Sequence, residues 1–455
     1  MARHAVHLLC LAVVLAAGTA PAHAIFHFDF RTDMVSPFDG AYSRHDVWRR
    51  AAMASSARVA NHAASHGKAL GKTKGGGGIS EAAAVVGTEG HWITVGIGTP
   101  PQPAKLVLDT SGPLIWAQCK LFDAGKTKQV EPVLDPSKSS TFQVVPCGDE
   151  LCRGGQFTNC TGNKCMYSAL YANLVLDGVF ASDTFTFGVD HGSVDAPLGF
   201  GCGTLAGDGL AGASGIMSLS WSNLSVITQL NVPRFSYCFS RFGEGKKSPL
   251  LFGTTANLQK YKTTGPIQSV PLIKNPWNDV FYYVPMVGIS FGAKKLDVPV
   301  ESLVLNPDGS GGTVIDSGST LSYLVKPAFE ELKKVVTETV KLPVAKHMVK
   351  EYQLCFELSR GTTMEKVEVP PLRLHFEGGA EMTVPRENYF QEPGPGLMCL
   401  AVGVSPIMFF PNMISNVMQQ NMHMLFDVRN SKLFFAPTEF NNEARGVTTG
   451  VDEFP

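Results

Sequence analysis

The sequence predicts a mostly β protein built as two similar lobes, and three observations point there. From about Gly87 onward, short apolar or alternating runs are separated by Gly, Pro, Asn and Asp, the pattern of strands joined by turns. Charged residues make up only 17% of the 455, while 46 Gly and 29 Pro are scattered without a collagen-like period, as in a turn-rich chain. Finally, Val107-Leu108-Asp109-Thr110-Ser111-Gly112 is echoed by Val314-Ile315-Asp316-Ser317-Gly318-Ser319. A hydrophobic content of 44% over this length supports more than one core-forming unit.

Taken in order, residues 1–24 carry Arg3, an apolar run from Val6 to Ala17 and the small-residue ending Ala22-His23-Ala24. They read as a secretory signal, because the apolar run is too short to serve as a membrane anchor and no later stretch supplies a span. Residues 25–80 form a basic leader with eight Lys and Arg against four Asp, whereas residues 81–455 hold 29 basic and 35 acidic residues. The leader is thus +4 and the body −6. Within the leader, Ser43–His66 is Ala- and Arg-rich with helical character and runs into the flexible Gly75-Gly76-Gly77-Gly78, as a removable prosegment with its linker would. His62 and His66 have helical ligand spacing but lack a third ligand, so no metal is expected. Gly67–Thr73 is one residue short of a phosphate loop and follows no strand.

The body divides at about residue 265 into an N-terminal lobe, 81–265, and a C-terminal lobe, 266–455. Strands are expected at His91–Ile97, Leu106–Leu108, Phe180–Phe187, Leu250–Phe252, Phe281–Ile289, Met382–Val384, Met424–Val428 and Leu433–Ala436. Lys326–Lys341 reads as a helix, with Pro327 at its first turn and Phe329, Leu332, Val336 and Val340 at helical spacing. No 20–50-residue repeat suggests a solenoid. The overall net charge of −1 provides no field for gripping nucleic acid.

A secreted chain meets an oxidising compartment, where cysteines pair. Beyond Cys10 there are nine: Cys119, Cys147, Cys152, Cys160, Cys165, Cys202, Cys238, Cys355 and Cys399. The odd count leaves at least one thiol free or bonded outside the chain. Asn159-Cys160-Thr161 and Asn223-Leu224-Ser225 are glycosylation sequons.

The repeated loop carries the chemistry. Either copy alone fits a strand ending in an Asx-type turn. Together they place one carboxylate per lobe, Asp109 and Asp316. Two carboxylates sharing a site hold one proton between them, because like charges disfavour double ionisation. The ionised member can take a proton from water while its neighbour donates to a carbonyl, so neither metal nor cofactor is required. The hydroxyls of Thr110 and Ser317 can tie the loops together.

These residues resemble the pepsin-like aspartic proteases, and within them the plant nepenthesin-type group. The resemblance runs over most of the chain: Ile97-Gly98-Thr99-Pro100-Pro101-Gln102, Trp116-Ala117-Gln118-Cys119, Phe200-Gly201-Cys202-Gly203, Phe235-Ser236-Tyr237-Cys238, Thr313–Ser319, and Gln419-Gln420-Asn421 leading to Phe434-Phe435-Ala436-Pro437. It implies a bilobal fold with the cleft between the lobes, an Asp109–Asp316 dyad, supporting loops at Thr110, Ser111, Gly112, Ser317, Gly318 and Ser319, and a hairpin flap whose Tyr171 closes over peptide substrate and meets Trp116. It also implies a secreted, monomeric endopeptidase of the apoplast or vacuole, with peptide or protein substrates and no cofactor.

Three features depart from the family pattern. The first loop transposes Ser111 and Gly112, adding bulk where a glycine is usual and removing a hydroxyl donor. The flap continues as Ala172-Asn173-Leu174-Val175 without the usual glycines. The cysteine-rich insert is reduced, and Phe440 stands where a Cys is usual. The same features are compatible with a silent protease-fold binding protein resembling the plant xylanase inhibitors.

Overall fold

The computed structural model describes residues 31–35, 43–69, 90–120 and 132–438, except 154–157, 172–173, 189–192, 207–211, 243, 245, 261, 348 and 407–409. Residues 1–24, expected to be a signal sequence, the glycines 75–78 and Phe440 lie outside these residues.

Strand β1 (Arg31–Val35) precedes helix α1 (Arg44–Ala69). Ser43 caps the helix by accepting a hydrogen bond from the Asp46 N–H at 3.2 Å, and the Ser43 hydroxyl donates to the Asp46 carboxylate at 2.6 Å. The acidic Asp46 also suits the positive end of the helix dipole. One face of α1 is buried: Val47, Trp48, Ala51, Ala52, Ser55, Arg58 and Val59 recur at helical spacing. Ala51, Ala52 and Ser55, small residues in the middle of that face, let the helix lie close against the body there.

In the N-terminal lobe, β2 (Trp92–Ile97) and β3 (Gln102–Asp109) form an antiparallel pair that ends at the first Asp loop. Next come β4 (Trp116–Gln118), β5 (Lys164–Tyr171), β6 (Leu174–Phe187), β7 (Val194–Ala206) and β8 (Gly215–Ser218). Strands β5 and β6 make the antiparallel hairpin in which the flap is expected, and β8 runs parallel to β3 with Ser218 opposite Asp109. Strands β9 (Arg234–Cys238) and β10 (Ser248–Phe252) complete this half.

The C-terminal lobe repeats the plan. Strands β11 (Asn278–Val284) and β12 (Thr313–Asp316) pair antiparallel, and the second Asp loop follows. Strand β13 (Ser322–Leu324) leads into α2 (Lys326–Thr339), which has Pro327 in its first turn. Helix α2 buries Phe329, Leu332, Val335 and Val336, each contributing about 1.5–3 kcal/mol by leaving water. Strand β14 (Asn412–Ser415) runs parallel to β12 with Ser415 opposite Asp316, the counterpart of Ser218 opposite Asp109. The two lobes share a sheet in which β15 (Met422–Asp427) pairs with β9, and β16 (Lys432–Pro437) with β15. Strand β1 fills the slot between β10 and β2 in that sheet.

The expected strands are present, mostly longer than their apolar cores. Phe281–Ile289 is the exception: it is two strands, because Pro285 lies between β11 and the next strand, Met286–Phe291, and a proline has no N–H for a ladder. Four disulfides pair Cys119 with Cys202, Cys147 with Cys160, Cys152 with Cys165, and Cys355 with Cys399. Cys238 is the odd thiol, free and buried, with burial pushing its pKa up to about 12. Among the described residues no helix is long and apolar enough to cross a membrane.

Candidate active site

Asp109 and Asp316 each end a buried central strand, so the β3 and β12 ladders aim both loops at the interface between lobes. The loops lock reciprocally. The Thr110 N–H donates to the Ser317 hydroxyl at 3.0 Å, and the Ser317 N–H donates to the Thr110 hydroxyl at 2.9 Å. Each hydroxyl then donates to the strand before the opposite Asp, Thr110 to the Ile315 carbonyl at 3.1 Å and Ser317 to the Leu108 carbonyl at 3.2 Å. This leaves none of the four groups to water at a fully buried position.

The carboxylates are held by their own turns. Ser111 N–H donates to Asp109 Oδ1 at 2.8 Å, and Gly318 N–H donates to Asp316 Oδ1 at 2.9 Å. Beyond this the symmetry ends. The Ser319 hydroxyl donates to Asp316 Oδ2 at 2.5 Å, but Gly112 stands at the matching position of the first loop, where an added Cβ would lie 3.0 Å from Asp109 Oδ2. The transposed Ser111 instead places its hydroxyl between the carboxylates, 2.5 Å from Asp316 Oδ1 and 3.1 Å from Asp109 Oδ1. Gly318, opposite, has to be glycine: a Cβ there would come within 2.4 Å of Asp109 Oδ1.

A third element enters the site. Arg58, on the buried face of α1, inserts its guanidinium between the two loops and is 1% exposed. Its Nη2 lies 2.8 Å from Asp109 Oδ1, 2.6 Å from Ser111 Oγ and 3.4 Å from Asp316 Oδ1, with Asp109 Oδ2 also 2.8 Å away. The Tyr171 ring packs against the guanidinium, whose central carbon is 4.6 Å from the ring centroid. Burial raises the pKa of Asp109, Arg58 pulls it down, and the neighbouring Asp316 charge pushes it up, with a net rise. Opposite charges raise the already high pKa of Arg58 despite its burial, so it remains a cation.

The helix is pinned between Trp48 and Arg58. Ser55 accepts the N–H groups of Thr320 and Leu321 at 2.8 and 3.0 Å, just beyond the second Asp loop. Ser56 and Tyr323 hydroxyls meet at 3.2 Å, and the Tyr352 hydroxyl donates to the Trp48 carbonyl at 3.2 Å.

Trp116 and Tyr171 lie in one buried cluster, but the Trp116 indole N–H donates to Tyr167 rather than to Tyr171. Tyr167 precedes Tyr171 by four residues on β5, so both point to the same side of the flap. Asn159 and Asn223 are both exposed, on a short strand and before a short helix.

Comparison with known proteins places this geometry. Residues 91–254 match the family model described as Xylanase inhibitor N-terminal, and residues 281–437 match Xylanase inhibitor C-terminal. Aspartic proteinase nepenthesin-1 of Nepenthes gracilis is 33% identical over 363 residues, covering 79% of this chain and 80% of that protein. The chain belongs to the plant pepsin-like aspartic protease family. Aspartyl protease 37 of Oryza sativa subsp. japonica, 27% identical, aligns over 95% of this chain and 97% of its own length. Among solved structures, this aspartic protease fold is matched by the crystal structure of edgp, with a TM-score of 0.63 at 18% identity over 77% of this chain and 92% of that one. The crystal structure of Basic 7S globulin from soybean gives 0.59 at 18% identity, covering 78% and 94%.

Two residues of this protease-fold site were not singled out from the sequence. Arg58 could have been found: on a helical wheel it falls in the Ala51, Ala54, Ser55 stripe in the interior of the helix, between Ser55 and Val59, where a cation facing inward needs a counterion. Tyr167 carried no signal, since two tyrosines on one strand face are equally suited to meet an indole.

Proposed function

We propose that this protein is a secreted, latent aspartic endopeptidase, with Asp109 and Asp316 as its dyad and residues 25–80 as a prosegment that keeps it silent. The observation that carries this reading is the buried Arg58 guanidinium seated on both carboxylates, with its helix occupying the cleft. A cation placed there satisfies the charge of a dyad while excluding substrate. A scaffold with no reaction to restrain would have no need of it. Peptides would bind extended under the β5–β6 flap once α1 has left, with pockets on alternate sides setting preference. Asn159 and Asn223 are the glycosylation candidates, and the mature enzyme acts as a monomer.

Acid is the expected trigger. The raised pKa of Asp109 means that it takes up a proton in milder acid than an ordinary carboxylate, and each proton gained by the dyad weakens the hold on Arg58. The opposite charges of leader and body lose their attraction in the same direction. Acidifying the full-length secreted chain should therefore yield a shorter form that digests casein with a bell-shaped acid pH profile, blocked by a peptide carrying a secondary alcohol in place of the scissile bond. A full-length chain already active at neutral pH would contradict latency. Chelator-sensitive activity would contradict the dyad.

A second reading, a silent binding protein, is favoured by one observation: Ser111 puts a hydroxyl between the carboxylates, where the family's glycine leaves space. No cleavage after acid treatment, together with tight binding to another secreted enzyme, would select it.

A further inference from the structure

The transposition of Ser111 and Gly112 moves a hydroxyl from the outer side of Asp109 to the gap between the two carboxylates, and its hydrogen bonds there are unequal. A hydroxyl has one hydrogen to give, and the nearer acceptor is Asp316 Oδ1 at 2.5 Å against 3.1 Å for Asp109 Oδ1. Asp316 thus receives Ser111 Oγ–H, Gly318 N–H and Ser319 Oγ–H, three donors that favour its carboxylate form. Asp109 has no hydroxyl from its own loop at Oδ2, because Gly112 stands there. The pair is therefore polarised, with the shared proton belonging to Asp109.

Arg58 marks where a small polar group sits among these atoms. Its Nη2 is 2.6 Å from Ser111 Oγ and 2.8 Å from Asp109, but 3.4 Å from Asp316 Oδ1. A water taking that place after α1 leaves is within hydrogen-bond reach of Ser111 and Asp109 and touches Asp316 through Ser111. On the reading of this protein as an aspartic endopeptidase, we propose that Ser111 is a catalytic residue that relays the proton of the attacking water to Asp316, while Asp109 serves as the acid.

In the addition step one O–H bond of the water breaks, its proton going to Ser111 Oγ as the Ser111 proton passes to Asp316 Oδ1. The water oxygen bonds to the carbonyl carbon, and the proton of Asp109 goes to the carbonyl oxygen, giving a neutral gem-diol. In the collapse the C–N bond breaks, the leaving nitrogen takes the proton held by Asp316, and a diol hydroxyl returns one to Asp109. The dyad ends as it began, and nothing is oxidised or reduced.

The test compares the acid-activated wild type with Ser111→Ala and Ser111→Gly, prepared as full-length chains and activated in the same way, with melting curves before activation to establish folding. The relay requires Ser111→Ala to lose about 10²-fold in kcat with KM little changed, the scale of a lost proton-transfer partner. Ser111→Gly should recover most of that loss, because the vacated space admits a water that can touch Asp316 directly. The wild type should show a curved proton inventory in mixed H2O and D2O, and the glycine variant a more nearly linear one. A Ser111→Ala protein as active as wild type, or more so, would show that the hydroxyl only crowds the site and would overturn the relay while leaving the endopeptidase reading intact. Equal losses in both variants would overturn it too, since a shared defect belongs to the loop and not to the hydroxyl. A wild type that cuts nothing after activation removes the endopeptidase reading and the relay with it.

Discussion

Replacing Arg58 by methionine keeps the buried stem and removes the charge, so it isolates what the guanidinium does for the resting protein. In the wild type it faces Asp109 at 2.8 Å and Asp316 at 3.4 Å, all three side chains being at most 1% exposed. Removing one partner of such a buried cluster leaves uncompensated charge and costs about 3–5 kcal/mol at neutral pH. At about 2.1 cal/mol/K of unfolding entropy per residue, a folded body of some 350 residues would lose roughly 4–7 °C in melting temperature. The cost must depend on pH in a definite direction. Asp109 already has a raised pKa, and losing Arg58 raises it further. A carboxyl with a raised folded pKa favours the folded state in its protonated form, and that advantage disappears as pH rises through the folded value. The Arg58→Met deficit should thus be full at pH 7 and should shrink to a small fraction by pH 4, where the dyad holds protons of its own. Calorimetric melting of the two proteins at both pH values, with gel analysis of each sample to establish that the chain melted at pH 4 is still full-length, reads this. Equal deficits at pH 7 and pH 4, or none at pH 7, would mean that the guanidinium is not the counterion of the dyad, and the account of latency built on it would fail.

Three further predictions concern the scaffold. His91 is buried with its pKa lowered to about 3, its ring nitrogens meeting the Ser240 carbonyl at 3.0 Å and the Asn416 amide at 3.3 Å, so the unfolded chain binds its proton first and stability falls as pH drops below the usual 6.5 towards 3. His91→Gln should flatten the pH dependence of the urea midpoint across that window, and an unchanged slope would contradict this. Replacing Cys355 and Cys399 by alanine opens a bridge spanning 44 residues, for which chain entropy gives about 4 kcal/mol; a change below about 1 kcal/mol in urea unfolding would place the stability of the C-terminal lobe elsewhere. Gly318→Ala would put a Cβ within 2.4 Å of Asp109 Oδ1 and 2.7 Å of Arg58 Nη2, so α1 should become more sensitive to limited proteolysis at neutral pH; an unaltered digestion rate would count against close packing at the dyad.

Much of this was legible in the chain itself. Two-residue alternation set the strands, Pro327 and the spacing of Phe329, Leu332 and Val336 set α2, and an odd cysteine count left at least one thiol free or bonded outside the chain, because these are local or additive properties. The doubled Asp loop announced two related lobes, since each copy carries its own strand and turn. Tertiary structure alone decided the rest. Which cysteines pair depends on which segments meet in space, whether 13 residues apart, as for Cys147–Cys160 and Cys152–Cys165, or 83, as for Cys119–Cys202. That the Ser111 hydroxyl leans towards Asp316, and that Arg58 sits on both carboxylates, depends on atoms 205 and 258 residues apart meeting at one point. Sequence periodicity specifies which face of an element turns inward. It does not specify which atom waits on the other side, because that is settled only when the lobes and the helix close on a common volume.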